Sequence, residues 1–211
     1  MRVKVHGIVG SPFLRSALLG LEEKGAPYEL VRMGFSEPKE PAYLARNPFG
    51  RVPFFEHDGF ELYETQAILR YIDTVFPGPS LRPTEPRQLA RMDQLVGISD
   101  WYMFRQVTAT ISFQRLIAPI VGRTTDLSAV AAAIPDARNV MQVLEGFAKQ
   151  GGDYMVGNEP TIADLMLAPQ LSFFAVTPEG REILPSHPSL GAWIERINAR
   201  PSMKKTEPKF S

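Results

Sequence analysis

The hydrophobic rhythm of the chain changes once, near residue 78, and that change commits it to two dissimilar halves. Before it, β-like runs alternate with helical ones. Val3 to His6 reads as a strand, Pro12 to Lys24 as a helix, Tyr28 to Arg32 as a strand and Pro41 to Arg46 as a short helix. Val52 to His57 and Phe60 to Tyr63 follow as strands, joined by Asp58-Gly59, a dipeptide that tolerates the positive φ of a tight hairpin turn. A helix from Glu64 to Phe76 completes the order βαβαββα, with Ala67, Ile68, Tyr71, Ile72 and Val75 on one face. Pro77-Gly78-Pro79-Ser80, Pro83 and Pro86 have the composition of a stiff linker. Beyond them the strong patterns are helical, at 87–117, 127–150, 161–176 and 188–199, ahead of a polar tail. The expected organisation is an α/β domain at 1–78, a linker at 79–86 and an all-α helical bundle at 87–211.

Composition removes several function classes. Lys+Arg and Asp+Glu both number 23, so no overall charge draws the chain to nucleic acid or to an anionic membrane. There is no cysteine, which excludes disulfides, thiolate metal sites and a protein thiol nucleophile. A reactive sulfur would have to arrive with the ligand. His6, His57 and His187 lack metal-ligand spacing, so no metal is expected. No uninterrupted apolar run reaches the length of a membrane span, and Met1 to His6 reads as a strand instead of a signal peptide. The expected address is the cytoplasm.

Two segments carry the ligand chemistry. In Asn47-Pro48-Phe49-Gly50-Arg51-Val52-Pro53, the Val52-Pro53 bond pays little to be cis, and Pro53 has no N–H to donate. Val52 would then turn its own N–H and C=O outward as a strand-like edge, to which an extended peptide can pair. Glu64-Thr65, opening the next helix, supplies an acid and a hydroxyl beside that edge. Together they suit a γ-glutamyl peptide; the competing reading is a trans turn proline and a plain helix cap. Farther on, Thr161-Ile162-Ala163-Asp164 spells a capping box, a folding device, and Pro169 predicts a kink within the helix it opens.

In order and spacing, four motifs resemble the cytosolic glutathione transferases, the serine-type phi and tau classes and their bacterial relatives above all. They are Gly10-Ser11-Pro12-Phe13-Leu14-Arg15, the Asn47 to Pro53 segment, Glu64-Thr65-Gln66-Ala67-Ile68, and Gly157 to Leu165. The resemblance implies a thioredoxin-like N-terminal domain and a helical C-terminal one. It implies glutathione as co-substrate, bound by Phe13, Lys39, Arg51, Val52, Pro53, Glu64 and Thr65, with Val52-Pro53 cis. Ser11 becomes the catalytic hydroxyl, a hydrogen-bond donor that lowers the thiol pKa from about 8.5 with help from the helix N-terminus. Thr65 stands where relatives have serine, and Pro38 where phi-like members often have histidine, which leaves the glycyl carboxylate to Lys39 or Arg51. The resemblance also implies a small hydrophobic electrophile against Phe13, Trp101, Tyr102 and Arg105, conjugation with hydroperoxide reduction as a second activity, and a homodimer. A catalytically silent binding protein and a glutathione-dependent isomerase stay open as alternatives.

Overall fold

The computed structural model describes residues 2–209; Met1, Phe210 and Ser211, at the outer limits of the two expected domains, lie outside the described residues. The chain divides into two compact units, one formed by residues up to Leu81 together with those from Pro201, the other by Arg82–Arg200.

The first unit is a four-stranded sheet. Its strands β1 (Val3–Gly7), β2 (Glu29–Arg32), β3 (Phe54–His57) and β4 (Phe60–Tyr63) lie in the order β2-β1-β3-β4. β1 pairs parallel with β2 and antiparallel with β3, and β3 pairs antiparallel with β4. The hairpin falls on Asp58-Gly59, both at positive φ. Helices α1 (Pro12–Glu23), α2 (Pro41–Leu44) and α3 (Thr65–Val75) complete the thioredoxin-like α/β fold. Val5, Leu14, Leu18, Leu21, Phe55, Ile68, Ile72 and Phe76 form its core. The apolar face of α3 is turned slightly from the expected one: Val75 is exposed, and Phe76 is buried in its place.

α1 is fixed along its whole length. Ser11 caps it, and Pro12 at its first position forfeits only an N–H that would have no partner in the helix. Gly20 faces α3 so closely that a Cβ there would stand 2.6 Å from a Leu69 methyl. At its C-terminal end Lys24 donates to Asp73 (3.0 Å) and to the Pro79 carbonyl (2.9 Å), and Asp73 also accepts from the Leu81 N–H (2.7 Å). Both side chains of this ion pair are only 3% exposed, so its weakening by salt is small.

The second unit is all helical, with α4 (Pro86–Ile98), a π-helical segment (Ser99–Ile117), α5 (Leu127–Gly151), α6 (Ile162–Ala175), α7 (Pro178–Ile183) and α8 (Pro188–Asn198). The single helix expected over 87–117 is thus two ladders in series; Ala118 N–H donates to Phe113 C=O, five residues back. Near this change of ladder, Gln170 of α6 donates to the Ser99 hydroxyl and accepts from that of Thr108. α6 is buried on nearly every side. Its capping box is present: Asp164 accepts from the Thr161 N–H (2.8 Å) and hydroxyl (2.9 Å). The same carboxylate accepts from Met155 N–H and Trp193 Nε1, each at 2.9 Å, so it joins the turn before α6 to α8. Burial pushes its pKa up against the pull of these donors.

The polar tail forms one more helix, α9 (Pro201–Lys205), which packs on α1 and so belongs to the first unit, although the sequence pattern assigned all of 87–211 to the helical one. Arg15 of α1 donates to the Met203 carbonyl at 2.8 Å, and Ser202 bonds to Glu23.

Candidate active site

Ser11 ends the loop after β1 in extended geometry, where its side chain can turn back over the first turn of α1. Its Oγ accepts from the Leu14 N–H at 3.4 Å, and its own N–H donates to the Ile8 carbonyl at 2.9 Å. The cap occupies a lone pair of the hydroxyl, and no described residue accepts its proton. Ser11 therefore holds a donor in reserve at the positive end of a helix, an arrangement that favours an anion.

The Val52-Pro53 peptide is cis. The backbone leading into it is pinned from below: the Arg51 carbonyl accepts from Asn47 Nδ2 at 2.9 Å and from the Tyr43 hydroxyl at 2.5 Å. Burial raises the Tyr43 pKa, which keeps the phenol a donor. β3 begins only at Phe54, and neither backbone group of Val52 has a hydrogen-bond partner among the described residues. A length of extended main chain is left open for pairing with a peptide.

Gly50 shapes the same loop. At φ 56°, a Cβ there would meet the Pro38 carbonyl oxygen at 2.6 Å and Lys39 Nζ at 3.3 Å, so only glycine lets the loop lie on the 38–39 turn. Lys39 Nζ thereby stands beside Gly50, the residue before Arg51 in the chain. Neither Tyr43 nor the side chain of Asn47 was expected among the functional groups. Asn47 heads the motif, and that position was the available signal; Tyr43 left none, because its partner is a backbone carbonyl.

Glu64 is the most strained residue of the site. It adopts φ 71°, ψ 109°, and its side chain makes no capping hydrogen bond to α3. A non-glycine residue held there costs roughly 1–3 kcal/mol. The strain serves no cap, and it leaves the exposed carboxylate beside the buried Thr65. Glu64→Gly is accordingly expected to leave stability unchanged or raise it by about 1 kcal/mol while weakening binding of the γ-glutamyl peptide expected from the sequence about 10-fold or more. Denaturant unfolding and calorimetric titration read the two effects separately. Loss of stability with unchanged affinity would make Glu64 a purely structural residue.

The other residues expected at the site fall in both units. Phe13 is partly buried in the first turn of α1. Trp101 and Tyr102 are exposed on the π-helical segment, 63% and 54% respectively, and the Arg105 guanidinium lies 5.4 Å from the Trp101 ring centroid. Among the described residues no cluster of His, Asp and Glu could hold a metal ion.

Comparison with known proteins gives a consistent picture. The glutathione S-transferase N-terminal domain profile matches residues 1–74, and the corresponding C-terminal domain profile matches 128–196. A glutathione S-transferase of Hyoscyamus muticus is 32% identical over 209 residues, covering 97% of both chains. A probable glutathione S-transferase of Oryza sativa is 33% identical over 209 residues, 96% of this chain and 94% of its own. Among solved structures, glutathione transferase F7 of Populus trichocarpa superposes with a TM-score of 0.87 at 29% identity, covering 97% of each chain. The maize glutathione S-transferase I, solved with an atrazine glutathione conjugate, gives 0.83 at 31% identity over 97% of this chain and 96% of its own.

Proposed function

Since the chain belongs to the glutathione S-transferase family, we propose that the Ser11 hydroxyl donates to the thiolate of bound glutathione. The protein is a glutathione transferase, joining the thiol of glutathione to electrophiles. What supports the assignment of Ser11 is one observation: its oxygen caps α1 while its proton has no acceptor among the described residues. A bound thiol near this donor and the helix N-terminus is ionised at lower pH than a free one.

The remaining assignments follow the same ligand. Val52 pairs its main chain with the cysteinyl unit, cis-Pro53 presents that edge, Glu64 and Thr65 hold the γ-glutamyl end, and Lys39 with Arg51 holds the glycyl carboxylate. Phe13 borders the sulfur. Trp101, Tyr102 and Arg105 offer aromatic and cationic surface to a small hydrophobic electrophile. Catalysis needs no group beyond these: the enzyme ionises the thiol, aligns it and excludes bulk water. A hydroperoxide can meet the same thiolate, which makes its reduction the second activity. We place the enzyme in the cytoplasm as a homodimer, the setting the family resemblance implies; no helix among the described residues is long and apolar enough to cross a membrane.

The test is glutathione-dependent turnover of an activated aryl chloride, an isothiocyanate and an organic hydroperoxide. Turnover of at least one, saturable in glutathione, is expected. Tight glutathione binding with none turned over would instead favour the silent binding protein.

A further inference from the structure

A second cationic feature adjoins Ser11, and the glutathione assignments do not use it. Within the first unit, α1, β2 and the segment after α9 enclose a cavity of about 210 Å³. Its walls are apolar where Leu14, Leu18 and Leu30 face it, and Ser11 forms part of its lining. The volume suits a single substituted ring and is too small for a whole glutathione conjugate.

Its charge is uneven. Arg15, Arg32, Lys205 and Lys209 line it, against the single carboxylate, among the described residues, of Glu207. Lys205 is already paired with Glu22 at 2.7 Å. Arg32 and Lys209 have no ion pair among the described residues. Arg15 is the unusual member, only 9% exposed. Its partners are the Met203 carbonyl through Nη2 at 2.8 Å and the Thr206 hydroxyl through Nε at 3.4 Å, and neither is a carboxylate. Burial pushes its pKa down, against the opposing pull of Glu207. A guanidinium removed from water with no carboxylate bonded to it is costly, and an anion entering the cavity would offset that cost.

Resting on the assignment of Ser11 as thiolate donor, we propose that this cavity makes the enzyme selective for electrophiles that carry a carboxylate. For such acids the ring lies on the leucine wall instead of on the Trp101 and Tyr102 surface offered to uncharged electrophiles, the carboxylate reaches the Arg15 guanidinium with Arg32 and Lys209 nearby, and the reactive carbon stays beside the Ser11-held sulfur. With an aryl chloride the sulfur forms the new C–S bond, chloride leaves with the C–Cl electron pair, and the thiol proton passes to solvent. The surface cations attract the acid electrostatically and Arg15 fixes it.

The experiment compares 4-chloro-3-nitrobenzoate with 4-chloro-3-nitrobenzamide, nearly equal in shape but different in charge, at saturating glutathione. Each kcat/KM is divided by the uncatalysed rate constant, which removes the difference in intrinsic reactivity. The normalised preference for the acid is expected to be about 10-fold or more in the wild type. It should fall at least about 5-fold in Arg15→Gln and in the surface double variant Arg32→Glu/Lys209→Glu, the latter keeping the test valid if Arg15→Gln fails to fold. Equal normalised rates, or a preference unmoved in the double variant, would overturn the proposal. Failure to turn over either compound while another electrophile is turned over would overturn the selectivity alone; the Ser11 assignment on which it rests falls separately, if Ser11→Ala matches wild type on every active substrate.

Discussion

Ser11→Ala is expected to lower kcat/KM at neutral pH by about 100-fold, the loss typical of removing one preorganised donor to a developing or stabilised anion. The variant keeps every other group assigned to glutathione, so the dissociation constant of glutathione should change far less than the rate. The pH dependence identifies the cause. Turnover rises with pH as the bound thiol ionises, and without the Ser11 donor that rise should move up by about 1–2 units, toward the free-thiol value of about 8.5. The deficit is therefore largest near neutrality and narrows in alkali. Loss of the helix cap alone, about 0.5–2 kcal/mol of stability, would not produce such a shift. Ser11→Thr retains both the cap and the hydroxyl and should recover most of the rate. Equal activity of Ser11→Ala and wild type on every active substrate would remove Ser11 from the mechanism.

The largest effect on stability is expected at Asp164, where Asp164→Ala should cost about 3–5 kcal/mol in reversible denaturant unfolding. The residue is wholly buried. Its carboxylate accepts from Met155 N–H, Thr161 N–H, the Thr161 hydroxyl and Trp193 Nε1, and alanine leaves these donors without a partner in a space water does not reach. A simple N-cap loss would cost only about 0.5–2 kcal/mol, so the size of the effect separates a cap from a junction of three elements. Asp164→Asn keeps one acceptor oxygen but turns an amide toward other donors, and it should fall between. A loss below about 1 kcal/mol for the alanine variant would show that the Trp193 and Met155 bonds contribute little.

How much of this was legible depends on the kind of signal each part leaves. The β3–β4 hairpin was visible because Asp58 and Gly59 are turn residues for a stereochemical reason, and the α6 start because its capping box is written in residue types. The π-helical register was not. Its buried residues Ser99, Met103, Val107 and Ile111 recur every four positions, a step that lies between the residues per turn of an α-helix and those of a π-helix and distinguishes neither. α9 was missed because five residues, two of them lysine, make too short and polar a pattern; its place is set by Arg15 and Glu23, which are remote in sequence. At the site, the cis-proline segment was readable, whereas the need for glycine at position 50 and the support under the Arg51 carbonyl were not. Side chains that hold backbone leave no periodicity.

The clamping of α1 has a consequence for the energetics of turnover. The Gly20 notch, the Lys24–Asp73 pair and the Arg15–Met203 bond all bear on the shaft of this helix, while Ser11 stands at its tip. A donor carried on a free loop would have to be aligned afresh for each thiolate, losing orientational entropy every time. Here that loss is incurred once, as the first unit folds, and is not repeated in the catalytic cycle.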